Sequence, residues 1–222
     1  MDSILSLLGP RLLRKVLGEQ LKKQAERATW MSDGQLHVML PGTGSPLTDP
    51  TRAGPCAGVM AGGEYLVIDV GQGSYARQTT MGLPVGQITG ILLTHFHSDH
   101  ITELGETCTM SWANSGRREP LPVYGPPGVK EVVAGFRQAY EQDSHYRVQH
   151  HGHLSPNNWR RHGAFPTAVE IPLPGGSNSS MDSTLVFERN GLKVYAFNVD
   201  HKPVVPAYGY RFEYNGRVVT VS

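Results

Sequence analysis

The sequence predicts an α/β domain in which buried strands form layered sheets covered by helices. Two nearly continuous apolar stretches, residues 65–70 and 88–93, are typical of strands that are buried on both faces. Residues 129–142 repeat their apolar side chains at helical spacing, directly after a Pro-Pro-Gly turn at 126–128. Because no linker or internal repeat interrupts these elements, we expect one sandwich-like domain over residues 31–222.

Residues 1–30 predict a basic amphipathic helix that precedes this domain. Pro10 suits the first turn of a helix, and apolar residues recur at helical spacing after it, with most basic side chains on the other side. The apolar stripe can pack on the protein's own body or on a second subunit, which predicts a homodimer. A basic amphipathic helix can also lie on an anionic membrane surface. The segment does not resemble a secretion signal, because its apolar part is short and follows Asp2.

Further strands are predicted on both sides of the apolar stretches. Residues 36–40 alternate in the manner of a strand and run into a glycine-rich turn. The pairs Asn190-Gly191 and Asn215-Gly216 indicate tight hairpin turns, because asparagine and glycine tolerate a positive φ. The strands that these turns separate are predicted at residues 184–187, 192–199, 208–214 and 217–221.

The segment 144–166 is polar, rich in histidine and without a clear period, which predicts a long loop. Loops of this length often bind ligands or close over a site. The histidines of this segment either line an entrance for substrate or form a surface cluster, and they are His145, His150, His151, His153 and His162.

Composition and charge exclude several classes of protein. No apolar run approaches the roughly 20 residues that span a bilayer, which excludes an integral membrane protein. The 20 basic and 19 acidic residues give a net charge of +1, which argues against a dedicated polyanion binder. The only cysteines, Cys56 and Cys108, cannot form a disulfide framework, so we expect a reducing, cytoplasmic compartment.

The segment 94–100, with the sequence Thr-His-Phe-His-Ser-Asp-His, directly follows a predicted buried strand. Polar side chains in such a place cost several kcal/mol unless each finds a partner, and a metal ion is a partner for all of them. In an extended segment His95 and His97 point the same way and can reach one ion. Asp99 and His100 lie where the chain bends toward a helix and can serve a second ion. Imidazole and carboxylate ligands suit zinc, with iron or manganese as alternatives.

The segment 94–100 resembles the signature of the metallo-β-lactamase superfamily. The flanking segments resemble its branch of ribonuclease Z-like and arylsulfatase-like proteins. These segments are Gly42–Thr43–Gly44–Ser45–Pro46, the turn at 69–73, residues 124–128, Val199–Asp200–His201 and Gly209–Tyr210–Arg211.

This resemblance implies the αββα metallo-β-lactamase sandwich, with two divalent metal ions at one edge of the two sheets. It implies that His95, His97 and His201 bind the first ion and that Asp99 and His100 bind the second. It also implies a metal-activated hydroxide as nucleophile, with Asp99 orienting the water and taking its proton. The branch normally continues beyond the last predicted strand into a Gly-Asp-Thr segment, whose aspartate bridges the ions. Because the sequence ends at Ser222, we expect the C-terminal part of the domain to be missing from it.

Candidate substrate contacts lie in the glycine turns and in the polar segment. The turns at 42–44 and 71–73 either donate backbone N–H groups to an anionic substrate or are ordinary tight turns. Thr43, Ser45 and His151 are the side chains that we expect to contact the substrate.

The function predicted from the sequence is a metal-dependent hydrolase that acts on a phosphodiester or a small ester. One alternative is a ribonuclease Z-type endonuclease for the 3′ end of precursor transfer RNA, and another is an aryl sulfatase or lactonase. A third is a non-catalytic metal-binding protein, although the dense histidine segment disfavours it. Residues 136–174 contain no lysine, so a basic arm for transfer RNA is not found there and we expect weak binding to nucleic acid.

Overall fold

The first sheet contains six strands that follow one another in chain order in a computed structural model. The model describes residues 10–47, 49–151, 160–172 and 183–222. The first three strands are antiparallel neighbours, whereas the third to the sixth run parallel. The six strands are β1 (His37–Gly42), β2 (Cys56–Ala61), β3 (Glu64–Ile68), β4 (Gly90–Leu92), β5 (Leu121–Gly125) and β6 (Pro166–Glu170).

The second sheet has four antiparallel strands in the order β10-β9-β8-β7. Both predicted hairpins are present. At their turns, Asn190 and Asn215 adopt positive φ values of 51° and 47°, and the glycines that follow them adopt 84° and 75°. The strands are β7 (Ser183–Arg189), β8 (Leu192–Asn198), β9 (Tyr208–Tyr214) and β10 (Arg217–Val221).

The helices of the described chain are short, apart from the first one. They are α1 (Pro10–Ala28), α2 (Ser74–Thr80), α3 (Ser98–Ile101), α4 (Leu104–Ser115), α5 (Val129–Ala139) and α6 (Glu141–His151). Helices α4 and α5 bury their apolar side chains, among them Leu104 and Val133, in a core against one face of the first sheet.

A second core joins the two sheets face to face. Leu66 and Leu92 of the first sheet are fully buried there with Val194 and Phe212 of the second. Strands β3 and β4 are therefore covered on both faces, which explains their continuous apolar sequences. The described residues supply both sheets and one helix layer of the predicted sandwich.

The prediction of a long loop over residues 144–166 is wrong at both ends of that segment. Helix α6 occupies the first part of that segment, and β6 begins at its end. The helix has no clear apolar stripe because it lies on the surface, where Asp143 pairs with Arg147 at 2.7 Å and Glu141 pairs with Arg161. Periodicity identifies only helices that bury one face, so this one was missed.

The predicted helix over 129–142 is two helices that meet at Tyr140. The ring of Tyr140 packs so closely on α4 that a Cβ at Gly105 would lie 2.1 Å from it. Strands β2, β5 and β6 were not predicted. Strand β2 is all buried and joins β3 through the turn at Gly62 and Gly63, whose φ values are 59° and 82°.

Helix α1 has the predicted position, and a polar side chain joins it to the rest of the chain. Gln20 donates a hydrogen bond of 2.9 Å to the carbonyl oxygen of Thr79, at the end of α2. The apolar residues Val16 and Leu21 keep 52% and 65% of their surface exposed to solvent. Among the described residues, no helix is both long enough and apolar enough to cross a membrane.

Candidate metal centre

The histidine segment lies where the ends of strands from both sheets meet. Strand β4 leads through Leu93 and Thr94 to His95, and strand β8 leads through Val199 to His201. The backbone N–H of Tyr208 donates to the carbonyl oxygen of Thr94 at 2.9 Å. This bond crosses between the sheets, so the two strand ends are held side by side.

Three imidazoles converge at this place. Each of His95, His97 and His201 offers a ring nitrogen, and these nitrogens all lie within 4.8 Å of one another. Nε2 of His95 is 3.0 Å from Nδ1 of His97, which matches the expectation that the two rings point the same way. Such a set of three nitrogens can hold one metal ion, and imidazole nitrogen is a preferred zinc ligand.

The three histidines of the cluster differ in their exposure to solvent. His95 is buried, whereas His97 and His201 are exposed. Burial, and after it the neighbouring His100, His201 and His97, lowers the pKa of His95 to about 4. A neutral imidazole keeps a free lone pair, so His95 is in the form that binds a metal.

Asp99 and His100 form a second group directly beside the first. They lie on α3, and Nε2 of His100 is 3.6 Å from Oδ2 of Asp99. The ring centroids of His95 and His100 are only 4.2 Å apart. The two predicted groups of ligands are therefore adjacent, as a pair of neighbouring ions requires.

Asp69 is a member of this site that the sequence analysis did not identify. Its Oδ2 lies 2.7 Å from Nδ1 of His100, and it accepts hydrogen bonds from the backbone N–H and the hydroxyl of Thr94 at 2.9 and 2.8 Å. Burial lowers the pKa of His100, but the bond to Asp69 and the charges of Asp69 and Asp99 outweigh it and raise that pKa above its ordinary value. A carboxylate on one ring nitrogen orients the other nitrogen for a metal.

The backbone of Asp69 has an unusual conformation. Its φ is 56°, a left-handed conformation that non-glycine residues rarely adopt and that clusters at functional sites. In the sequence, Asp69 follows a buried strand as His95 does, but it stands in a glycine-rich turn and was treated as part of that turn.

Glu103 fastens the helix that carries Asp99 to the turn after Asp69. Its carboxylate accepts hydrogen bonds from the N–H groups of Gly73 and Tyr75, the latter at 2.8 Å. Its own N–H donates to the carbonyl oxygen of Val70 at 2.9 Å. The carbonyl oxygen of His100 in turn accepts from the N–H of Val70 at 2.8 Å, so these two segments are bonded in both directions.

Three N–H groups of the glycine turns are bonded within the protein. The N–H groups of Gly44, Gly71 and Gly73 donate to Ala53, Pro55 and Glu103 within the protein, so they are not free for a substrate. A Cβ at Gly42 would lie 1.7 Å from a backbone oxygen of Gly54. Close approach of backbones explains these glycines.

The substrate candidates are divided between two of the cavities that border the metal centre. A cavity of about 470 Å³ is lined by His95, His201, Thr43 and the end of β10. A second cavity of about 550 Å³ adjoins Asp99 and is lined by Ser45.

The histidines of the segment 144–166 are not found at either cavity among the described residues. The side chain of His151 and all of His153 lie outside the described residues. His145 and His150 lie on α6 and His162 in a short turn before β6, and none of the three lines either cavity.

The sequence model of the metallo-β-lactamase superfamily matches residues 56–196, which is more than half of the 222 residues. The chain belongs to the metallo-β-lactamase superfamily. The resemblance drawn from the segment 94–100 is thereby confirmed, and the donor set of His95, His97 and His201 fits the divalent metal binding that this superfamily implies.

Within the metallo-β-lactamase superfamily, several similar proteins are named ribonuclease Z. The one from Mycobacterium marinum is 37% identical over 183 residues, which cover 82% of this chain and 60% of that protein. The one from Mycobacterium avium is 35% identical over 189 residues, which cover 84% of this chain and 62% of that protein. The chain thus spans about three fifths of the length of these relatives.

Solved structures share the metallo-β-lactamase fold with this chain. The short form of human tRNase Z superposes with a TM-score of 0.62 at 21% identity, covering 84% of this chain and 68% of that one. A diphosphatase of the PhnP family superposes with a TM-score of 0.54 at 18% identity, covering 80% and 62%. The predicted fold class is confirmed.

Proposed function

We propose that this chain carries the metal centre of a ribonuclease Z-type phosphodiesterase that cleaves precursor transfer RNA at its 3′ end. The observation that carries the proposal is the convergence of three imidazoles within 4.8 Å, at the meeting point of the two sheets. In this proposal His95, His97 and His201 hold one divalent ion, and Asp99 and His100 hold a second. Zinc is the expected metal, because the first set of ligands consists of imidazoles alone.

The side chains around the centre have distinct tasks in this reaction. When bound, two divalent ions lower the pKa of a water molecule and polarise a phosphoryl oxygen. Asp99 orients that water and takes one of its protons. The water oxygen would then bond to phosphorus as the bond from phosphorus to the leaving ribose oxygen breaks, and that oxygen would take up a proton from solvent. Asp69 holds His100, and Glu103 holds the helix of Asp99, so that neither has to move during the reaction.

The relatives and the charge beside Asp99 favour RNA over a small ester. The similar proteins of Mycobacterium marinum and Mycobacterium avium are both named ribonuclease Z. Arg52 and Arg77 line the cavity that adjoins Asp99, and positive side chains there suit the phosphates on either side of a scissile bond. Arg52 lies 3.8 Å from Asp49, which lines the same cavity, and Arg77 donates to the carbonyl oxygen of Thr51. These features favour the ribonuclease alternative over the broader prediction from the sequence, a hydrolase of a phosphodiester or a small ester.

A small-ester hydrolase is the second candidate, and charge is the observation that favours it. The net charge is only +1, and residues 136–174 contain no lysine. A protein with few free cations near its site neutralises few phosphates and so binds RNA weakly at physiological salt. An aryl sulfate or a lactone would require no extended basic surface.

The deciding experiment is an assay of the zinc-loaded chain on a set of substrates. A precursor transfer RNA with a 3′ trailer, the matching mature transfer RNA, bis(p-nitrophenyl) phosphate, an aryl sulfate and a lactone should be tested in parallel. We expect cleavage of the precursor at the trailer junction, loss of that cleavage with a chelator, and no cleavage of the mature molecule. The variant D99A should be inactive, and D143N, which alters a surface carboxylate on α6, should be as active as the unaltered chain.

The other outcomes separate the alternatives. Turnover of the sulfate ester or lactone without cleavage of RNA would establish the small-ester reading instead. Stoichiometric zinc without turnover of any substrate would leave a metal-binding protein, and the proposal would be abandoned.

A further inference from the structure

The hydroxyl of Thr94 joins Asp69 to the histidine cluster. Oγ1 of Thr94 lies 2.8 Å from Oδ2 of Asp69 and 3.0 Å from Nδ1 of His95. A longer contact of 3.4 Å reaches Nδ1 of His100. Thr94 is 7% exposed and Asp69 is 4% exposed, so these bonds compete little with water.

The donors and acceptors of Asp69, Thr94 and His95 determine the direction of the hydrogen bonds between them. A hydroxyl carries one proton, and an ionised carboxylate can only accept, so the hydroxyl of Thr94 donates to Asp69. The short contact to His95 is then formed by a lone pair of the Thr94 oxygen, which requires an N–H on Nδ1 of that ring. An imidazole that binds a metal gives one nitrogen lone pair to the ion and keeps one N–H on the other nitrogen. With the N–H on Nδ1, the nitrogen of His95 that keeps its lone pair is Nε2.

We propose that Thr94 is a positioning residue. Its hydroxyl forms a hydrogen-bond relay between the carboxylate of Asp69 and Nδ1 of His95, and so holds Nε2 of His95 free for a metal ion. Nε2 is the nitrogen that faces the cluster, 3.0 Å from Nδ1 of His97. Because Asp69 also bonds His100 directly, one buried carboxylate orients a member of each ligand group. The inference rests on metal binding by His95, and not on the choice of substrate.

The backbone at Thr94 is fixed independently of its hydroxyl. Its N–H donates to Oδ1 of Asp69 at 2.9 Å, and its carbonyl oxygen accepts from Tyr208 at 2.9 Å. A change confined to the side chain therefore removes the relay while both backbone bonds stay. This makes valine, which has the shape of threonine without the hydroxyl, the informative substitution.

The test compares zinc affinity in T94V and T94S, measured in competition with a chromophoric chelator. Serine keeps the hydroxyl, so T94S should bind zinc nearly as tightly as the unaltered chain. T94V should bind zinc roughly 10- to 100-fold more weakly, the usual effect of losing a partner of a metal ligand. The absorption spectrum of the cobalt form should change in T94V and be restored in T94S.

A second measurement needs no variant and decides the question even if T94V does not fold. Long-range ¹H–¹⁵N spectra of the zinc-loaded, unaltered chain report which ring nitrogen of each histidine carries the proton. We expect a protonated Nδ1 and a metal-bound Nε2 for His95. A metal on Nδ1 would overturn the inference.

The two proposals can fail separately. Equal zinc affinity in T94V, T94S and the unaltered chain would refute the relay and leave the proposed function untouched. A lack of zinc binding by the unaltered chain would remove both. Zinc binding with the expected loss in T94V, but without cleavage of RNA, would support the relay and count against the ribonuclease.

Discussion

The hydroxyl of Tyr210, on the second sheet, donates a hydrogen bond of 2.6 Å to the carbonyl oxygen of Leu93 at the end of β4. Both residues are fully buried. Burial raises the pKa of Tyr210, so its hydroxyl keeps the proton that it donates. Because Leu93 lies two residues before His95, this bond helps to hold the ligand segment against the sheet that supplies His201.

Removal of this hydroxyl should weaken both the fold and the metal centre. Y210F keeps the ring and leaves the buried carbonyl of Leu93 without its partner, so the free energy of unfolding in urea should fall by about 1 kcal/mol. Y208F is the matched control, since the hydroxyl of Tyr208 makes a similar bond of 3.2 Å to the carbonyl oxygen of Ile171, which does not precede a ligand in the chain. Both variants should lose stability, but only Y210F should lose zinc affinity. The same zinc affinity in both would show that the Tyr210 bond is structural alone.

The carboxylate of Asp69 should matter more for metal binding than any surface carboxylate. D69N preserves the shape of the side chain but removes the charge that orients His100, so zinc affinity should fall roughly 10- to 100-fold. D143N, on the surface of α6, makes the same chemical change and should leave that affinity unchanged. If a chelator competition assay gave equal affinities for the two variants, Asp69 would have no role in the metal centre.

Metal removal should destabilise the protein. A ligand that binds only the folded state adds roughly 2.7 kcal/mol when it is present at about 100 times its dissociation constant. Dialysis against a chelator should therefore lower the melting temperature, and added zinc should restore it. Elemental analysis that detects no transition metal, together with a melting curve that does not respond to zinc, would refute the metal centre.

Asp99 should be needed for turnover even where metal remains bound. D99A removes the group that takes the proton of the attacking water, and general base catalysis contributes roughly 10²- to 10⁴-fold. The rate of hydrolysis of bis(p-nitrophenyl) phosphate should fall by at least this factor, with the zinc content measured on the same sample. Near-normal rates at full zinc content would assign the proton transfer to another group.

The turn at Gly216 should be sensitive to a side chain for conformational reasons alone. A Cβ there would meet nothing within 4 Å, but the φ of Gly216 is 75°. G216A should therefore cost roughly 1–2 kcal/mol in unfolding free energy. G135A is the control, because a Cβ at Gly135 also meets nothing, while helix α5 favours alanine by roughly 0.5–1 kcal/mol. Opposite signs are expected in urea denaturation, and a stabilising G216A would be contrary to this reasoning.

Features that depend on near neighbours in the chain could be predicted from the sequence. The two asparagine–glycine turns, the helix Pro10–Ala28 and the common direction of His95 and His97 all follow from backbone preferences or from the period of a strand. The buried strands β3 and β4 follow from unbroken apolar stretches. Helix α6 could not be predicted in this way, because it is held by ion pairs at its surface and has no clear apolar stripe to produce a period.

Only the tertiary structure decided which distant groups meet at the metal centre. Asp69 and His100 are 31 positions apart, and Leu93 and Tyr210 are 117 apart, yet each pair is within hydrogen-bond distance. Asp69 and Tyr210 both lie in segments that carry the family resemblance, but neither residue could be identified from the sequence as part of the site. Their roles arise because the packing of two sheets excludes water, so that a buried polar group depends on partners within the protein. Those partners are chosen by the fold rather than by proximity in the chain.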